Sequence, residues 1–142
     1  MKKNNRFLIA KWIMAPDGVM IPSFYNWDSR THKLEDDTHV NVDGGLDEVY
    51  SHNSTAPYFN MSVYSDDPFE IQRRFFCRLN VGIDGKSKKR WTPLFQMSDN
   101  WLKNVIDTFH IMYDITPKMI FFRSLYEKEV EYRKLNHITV EE

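Results

Sequence analysis

Arg6-Phe7-Leu8-Ile9-Ala10-Lys11-Trp12-Ile13-Met14 and Val19-Met20-Ile21-Pro22-Ser23-Phe24-Tyr25 are two apolar, β-prone runs joined by Ala15-Pro16-Asp17-Gly18. Pro16 presets φ for the first turn position and Asp17 caps the turn. Gly18 takes the left-handed conformation of a bulged hairpin. Pro22 has no N–H to give to a ladder, so the second strand belongs at a sheet edge or carries a bulge.

Outward from this hairpin the chain continues in strands. A second hairpin is expected from about Ser29 to Val42, with Glu35-Asp36 as its tip. Asp43-Gly44-Gly45 ends it, and Leu46 to Asn60 reads as loop or a single helical turn. Asp67-Pro68-Phe69-Glu70 then starts a short helix: a carboxylate cap, proline at the first position and glutamate closing a capping box. Phe75 to Val81 reads as a strand with Phe75, Cys77, Leu79 and Val81 on one face, and Trp91 to Phe95 as another.

Ser98 caps a helix whose Leu102, Val105, Ile106 and Phe109 form an apolar stripe. Thr116-Pro117 opens the longest helix, to about Leu135, with Ile120, Phe121, Leu125 and Tyr132 expected on or near its buried side. Arg123/Glu127 and Glu129/Arg133 are spaced as helix-surface ion pairs. Asn136 is expected to end that helix in a left-handed cap, before a short strand over His137 to Val140. Strands first and helices later predict an α+β fold rather than a parallel βαβ one, with N-terminal antiparallel β-hairpins packed against C-terminal helices. The 142 residues fit a single domain, 1–142, and ten Phe, seven Tyr and four Trp supply area for a core.

A single cysteine, Cys77, excludes an internal disulfide and fits a reducing compartment, as a buried, inert thiol. Lys11 interrupts the only run resembling a signal peptide, and nothing approaches a membrane span. The expectation is a cytoplasmic protein with no membrane partner.

Charge is sorted along the chain. From Glu35 to Glu70 there are nine carboxylates and no lysine or arginine; from Arg73 to Arg90 there are seven cations against Asp84 alone. Such blocks create local fields that steer charged partners, although the formal net charge is only −1. Within them, Asp36, Asp37, Asp43, Asp47 and Glu48 form an acidic candidate surface, and Lys86, Lys88, Lys89, Arg90 and Trp91 a basic one. The acidic block could hold a hard cation, imitate nucleic-acid charge, or form a solvated rim; it lacks the Asp-x-Asp-x-Asp-Gly loop that specifies calcium. The basic loop offers cations for phosphates and an indole for stacking, or is simply a solvated loop beside a core tryptophan.

Thr31-His32 and Thr38-His39 add one further constellation. With Glu35-Asp36 as a two-residue turn, His32 stands opposite His39, close enough to share a metal ion with a neighbouring aspartate. The alternative is two exposed histidines on a polar face. Motifs for a nucleophile elbow, a zinc protease, a phosphate loop or a dinucleotide site are all missing. No catalytic residue, resident metal or cofactor is therefore assigned.

Val42-Asp43-Gly44-Gly45, Ser62-Val63-Tyr64-Ser65-Asp66-Asp67-Pro68, and Gly82-Ile83-Asp84-Gly85 leading to Met97-Ser98-Asp99 and Glu131-Tyr132-Arg133-Lys134 together resemble a family of small uncharacterised proteins of tailed, T-even-like bacteriophages. The resemblance covers roughly residues 16 to 142 and implies a phage origin without implying an activity. Relatives carry a His-x-His-Asp-Tyr run where this chain has Tyr25-Asn26-Trp27-Asp28-Ser29.

The combined expectation is a non-enzymatic phage accessory protein, acting in the infected host cytoplasm by binding a host protein through a charge-polarised surface. Alternatives are a nucleic-acid binder, a metal-dependent nucleic-acid-acting enzyme built on His32/His39, or a minor virion component.

Overall fold

The computed structural model describes residues 6–25, 28–46, 54–80, 90–112 and 116–142. The fold is α+β: antiparallel strands come first and the helices mostly follow, in two compact units, Met1–Pro68 and Phe69–Glu142.

In the first unit, β1 (Leu8–Met14) and β2 (Met20–Ser23) pair antiparallel, with Met14 opposite Met20. Gly18 takes φ 87°; its N–H donates to the Ala15 carbonyl at 2.9 Å, and the Ala15 N–H donates to Val19 at 2.9 Å. Asp17 Oδ1 accepts from the Val19 N–H, so the turn forms as its residues demand. β2 lies at one edge of its sheet with β1 as its only neighbour in the strand order, so Pro22 is on an edge strand, where its missing N–H costs no ladder bond.

The other edge of β1 is completed by two short strands, β5 (Phe59–Asn60) and β6 (Val63–Tyr64). The expected loop over 46–60 therefore ends in a strand, which two residues are too few to announce by alternation. Serine side chains serve this edge beside the short strands. Ser62 Oγ accepts from the Trp12 N–H at 3.1 Å, and Ser65 Oγ from the Phe7 N–H at 2.8 Å.

The second hairpin pairs β3 (Arg30–Lys33) with β4 (His39–Val42), in a register one residue away from the expected one. Its loop has three residues, Glu35-Asp36-Asp37. The Leu34 N–H donates to Thr38 at 2.8 Å, the Asp37 N–H donates to Leu34 at 3.1 Å, and Asp37 adopts φ 69°. Aspartate tolerates the left-handed region, so a bulged loop forms without glycine. His32 consequently faces Val40, and Lys33 faces His39. A one-residue slip moves side chains to the other face, so the two histidines point to opposite sides of the hairpin. Val40 and Val42 close a core with Ile13, Ala15, Ile21 and Ala56. Gly45 (φ 55°) follows; a Cβ there would lie 2.6 Å from the Tyr25 carbonyl carbon, so only glycine fits this approach.

The second unit contains α1 (Phe69–Phe75), β7 (Cys77–Asn80), β8 (Arg90–Pro93), a 3-10 turn over Leu94–Gln96, α2 (Asp99–Met112) and α3 (Pro117–Asn136). Both long helices start as expected. Ser98 Oγ accepts from the Trp101 N–H and Thr116 Oγ1 from the Met119 N–H, each at 3.1 Å. Asp67, by contrast, does not cap α1: its Oδ2 accepts from the Tyr64 N–H at 2.7 Å, serving the preceding turn.

Helical bonding persists to Phe76, whose N–H donates to Gln72, so the following strand begins at Cys77 rather than Phe75. Phe76 is itself in the core, stacked on Phe122 at 5.5 Å and edge-on to Tyr126 at 5.7 Å. Along α3 the buried residues are Phe122, Leu125, Tyr126, Glu129 and Arg133, whereas Ile120 is 57% exposed. The apolar stripe expected through Ile120 is thus rotated toward Phe122.

His137, not Asn136, takes the left-handed cap at φ 54°, and the Ile138 N–H reaches back to the Arg133 carbonyl at 2.9 Å. Residues 137–140 form no strand. Instead the Val140 carbonyl accepts from the Asp99 N–H at 2.9 Å, tying the tail to the start of α2.

Candidate functional site

The strongest electrostatic feature of the second unit is buried. Glu129 and Arg133 continue the helical spacing of Phe122, Leu125 and Tyr126, so α3 carries both into the core. Arg73, from α1, grips the Glu129 carboxylate with two bonds, Nε to Oε1 and Nη2 to Oε2, both 2.7 Å. Arg133 Nε donates to Oε2 at 2.8 Å, its Nη1 to Asp99 Oδ1 at 2.7 Å and its Nη2 to the Leu94 carbonyl at 3.1 Å.

The Arg73 guanidinium also lies 4.2 Å from the Tyr132 ring centroid. Its bonds to Glu129 raise the Arg73 pKa above the usual arginine value, so it stays charged. Charge-assisted, bidentate geometry of this kind offsets the desolvation of fully buried ions. The network neutralises itself and offers no group to a substrate. The expected Glu129/Arg133 surface pair is therefore a core element, and Arg73, the first cation of the basic block, is 6% exposed. A glutamate in phase with Phe122, Leu125 and Tyr126 was the available signal.

The acidic candidates separate by environment. Asp36 and Asp37 stand exposed with Glu35 at the β3–β4 tip. Asp36 Oδ1 accepts from the Thr38 N–H at 3.0 Å and from the Thr38 hydroxyl, and these bonds hold its pKa below the usual carboxylate value. Asp37 has only a solvent-exposed contact to Lys33 at 3.3 Å, a pair of small energy. Asp43 is half-buried; its carbonyl accepts from Nζ of the buried Lys11 at 2.9 Å, so its position serves the core of the first unit. Asp47 and Glu48 lie outside the described residues.

Of the basic candidates, Lys86, Lys88 and Lys89 lie outside the described residues. Arg90 is exposed at the start of β8, and Trp91 is half-buried opposite Leu79. Arg78 lies over the Tyr126 ring and donates to its hydroxyl at 3.3 Å.

The histidine pair does not assemble. His32 Nε2 lies 2.7 Å from Asp17 Oδ2, and His39 Nδ1 lies 3.2 Å from Thr55 Oγ1. Among the described residues no group of three or more His, Cys, Asp or Glu could hold a metal ion. The Cys77 thiol is half-buried and its pKa is pushed up to about 12 by desolvation, which removes the thiolate that nucleophilic or redox chemistry needs.

The charge blocks nearly follow the division into units. Met1–Pro68 carries ten carboxylates against six lysines and arginines; Phe69–Glu142 carries thirteen lysines and arginines against ten carboxylates. No described helix is long and apolar enough to cross a membrane. Comparison with protein-family models, characterised proteins and solved structures finds no match for this chain.

Proposed function

We propose that this protein is a non-enzymatic accessory protein, of the tailed-phage kind its sequence resembles, that binds a basic surface on a host protein in the infected cell. The contact element in this reading is the tip of the β3–β4 hairpin. The observation that carries it is the presentation of Glu35, Asp36 and Asp37 in consecutive exposed positions on a three-residue loop, with Lys33 the only cation paired to them among the described residues. A hairpin tip is narrow and projects its side chains, which suits insertion into a basic cleft, and its negative field would accelerate encounter with such a cleft. The acidic excess of the whole first unit points the same way.

Affinity capture from host lysate tests the reading, comparing the full chain with a Glu35→Gln/Asp36→Asn/Asp37→Asn variant. A partner retained by the native tip, released by moderate salt and lost from the variant supports it. Identical capture by both proteins overturns it. DNA retention that disappears with Lys88→Ala/Lys89→Ala/Arg90→Ala would point instead to a nucleic-acid binder.

A further inference from the structure

We propose that the second unit binds a small amphipathic anion in the groove between α2 and α3, beneath the C-terminal tail. The groove is open to solvent and offers about 670 Å³, a volume comparable to that of small-molecule sites. Its walls follow from helix periodicity. Residues 99, 102, 103 and 106 form one stripe of α2, residues 130, 133 and 134 lie on the facing side of α3, and His137 follows as its left-handed cap. Residues 138 and 139 close one side, held in place by the bond from the Asp99 N–H to Val140.

The lining sorts into an apolar body and a charged lip. Leu102, Ile106, Val130 and Ile138 supply the apolar surface. Asp99 and Arg133 border it, but each is spent on the other at 2.7 Å, and Arg133 is further held by Glu129. Lys103 and Lys134, both exposed, line the groove from different helices with no ion-pair partner among the described residues, and His137 lies next to Lys134. Asp107, one turn beyond Lys103, is the only carboxylate of the lining not neutralised by an arginine.

An apolar ligand body ending in one carboxylate, sulfonate or phosphate matches this arrangement. A wholly apolar ligand would leave the lysines unused. A polyanion would bring the apolar walls nothing to cover.

Fluorescence titration of the full chain with anilinonaphthalenesulfonate, an aromatic body with one sulfonate, tests the assignment. Saturation at one probe per chain is expected. Thr139→Trp, at an exposed position of the tail, should obstruct the groove and weaken binding about tenfold. Lys103→Glu/Lys134→Glu should also weaken it about tenfold by reversing the lip charge. All three positions are exposed, so the far-ultraviolet dichroism of each variant should match the parent. Phe59→Ser/Met61→Ser removes exposed apolar groups of the first unit and should leave the titration unchanged. Undiminished affinity in Thr139→Trp, or loss of the probe in Phe59→Ser/Met61→Ser, overturns the groove. Undiminished affinity after the lysine reversals overturns the anion assignment.

Discussion

The two hairpins of the first unit close through the same three-residue loop and place different residues at its left-handed position. Gly18 occupies it between β1 and β2 with φ 87°, and Asp37 occupies it between β3 and β4 with φ 69°. Glycine adopts that conformation without steric cost; most residues with a Cβ give up roughly 1–2 kcal/mol there, and aspartate, which tolerates the left-handed region, gives up less. The first loop is built for the backbone. The second keeps a third consecutive carboxylate at its tip and accepts a conformational cost for it.

The largest expected effect extends this comparison to a carboxylate that is not expendable. Glu129→Ala leaves two arginines without their shared partner in the core and should cost about 3–5 kcal/mol in chemical denaturation. Glu35→Ala at the exposed tip should change stability very little. Next, Gly18→Val forces a β-branched residue to positive φ and should cost about 2 kcal/mol, although a Cβ there meets nothing within 4 Å. The reciprocal change, Asp37→Gly, should stabilise by about 1 kcal/mol while weakening partner binding.

The smallest effect is in the acid limb. Asp17 and Asp36 each cap one loop, and both have pKa values below the usual carboxylate value, Asp17 through its bond to His32 and Asp36 through the Thr38 hydroxyl. A carboxylate with a lowered native pKa stabilises fully above its unfolded value of 3.8, and that contribution disappears as pH falls through the native one. Asp17→Asn and Asp36→Asn should therefore each lower the melting temperature slightly at neutral pH and flatten its decline below pH 4.

Where structure followed local chemistry, the sequence was legible. Gly18 announced its bulged loop, Ser98 and Thr116 announced their helices, and Pro22 announced an edge strand. The β3–β4 register differs from the expected one because Asp37 is a weaker sign of a left-handed residue than Gly18, and one residue of slip separates His32 from His39. β5 and β6 were hidden by their length. Charge was the least transparent property of all. Arg73 and Glu129 are 56 positions apart, and only folding reveals that one neutralises the other inside the core. Of the acidic candidates, Asp36 and Asp37 are exposed, as the side chains of a hairpin loop are, whereas Asp43 lies at the end of its strand with its carbonyl engaged by Lys11.

We propose that the β3–β4 tip is kept acidic chiefly for recognition, although Asp36 also caps its own loop. The most direct test compares the native chain with Glu35→Gln/Asp36→Asn/Asp37→Gly in parallel thermal melts and quantitative affinity capture from host lysate. A variant at least as stable as the parent that no longer retains the salt-sensitive partner is the predicted result. A variant that captures the same partner in the same amount would contradict it.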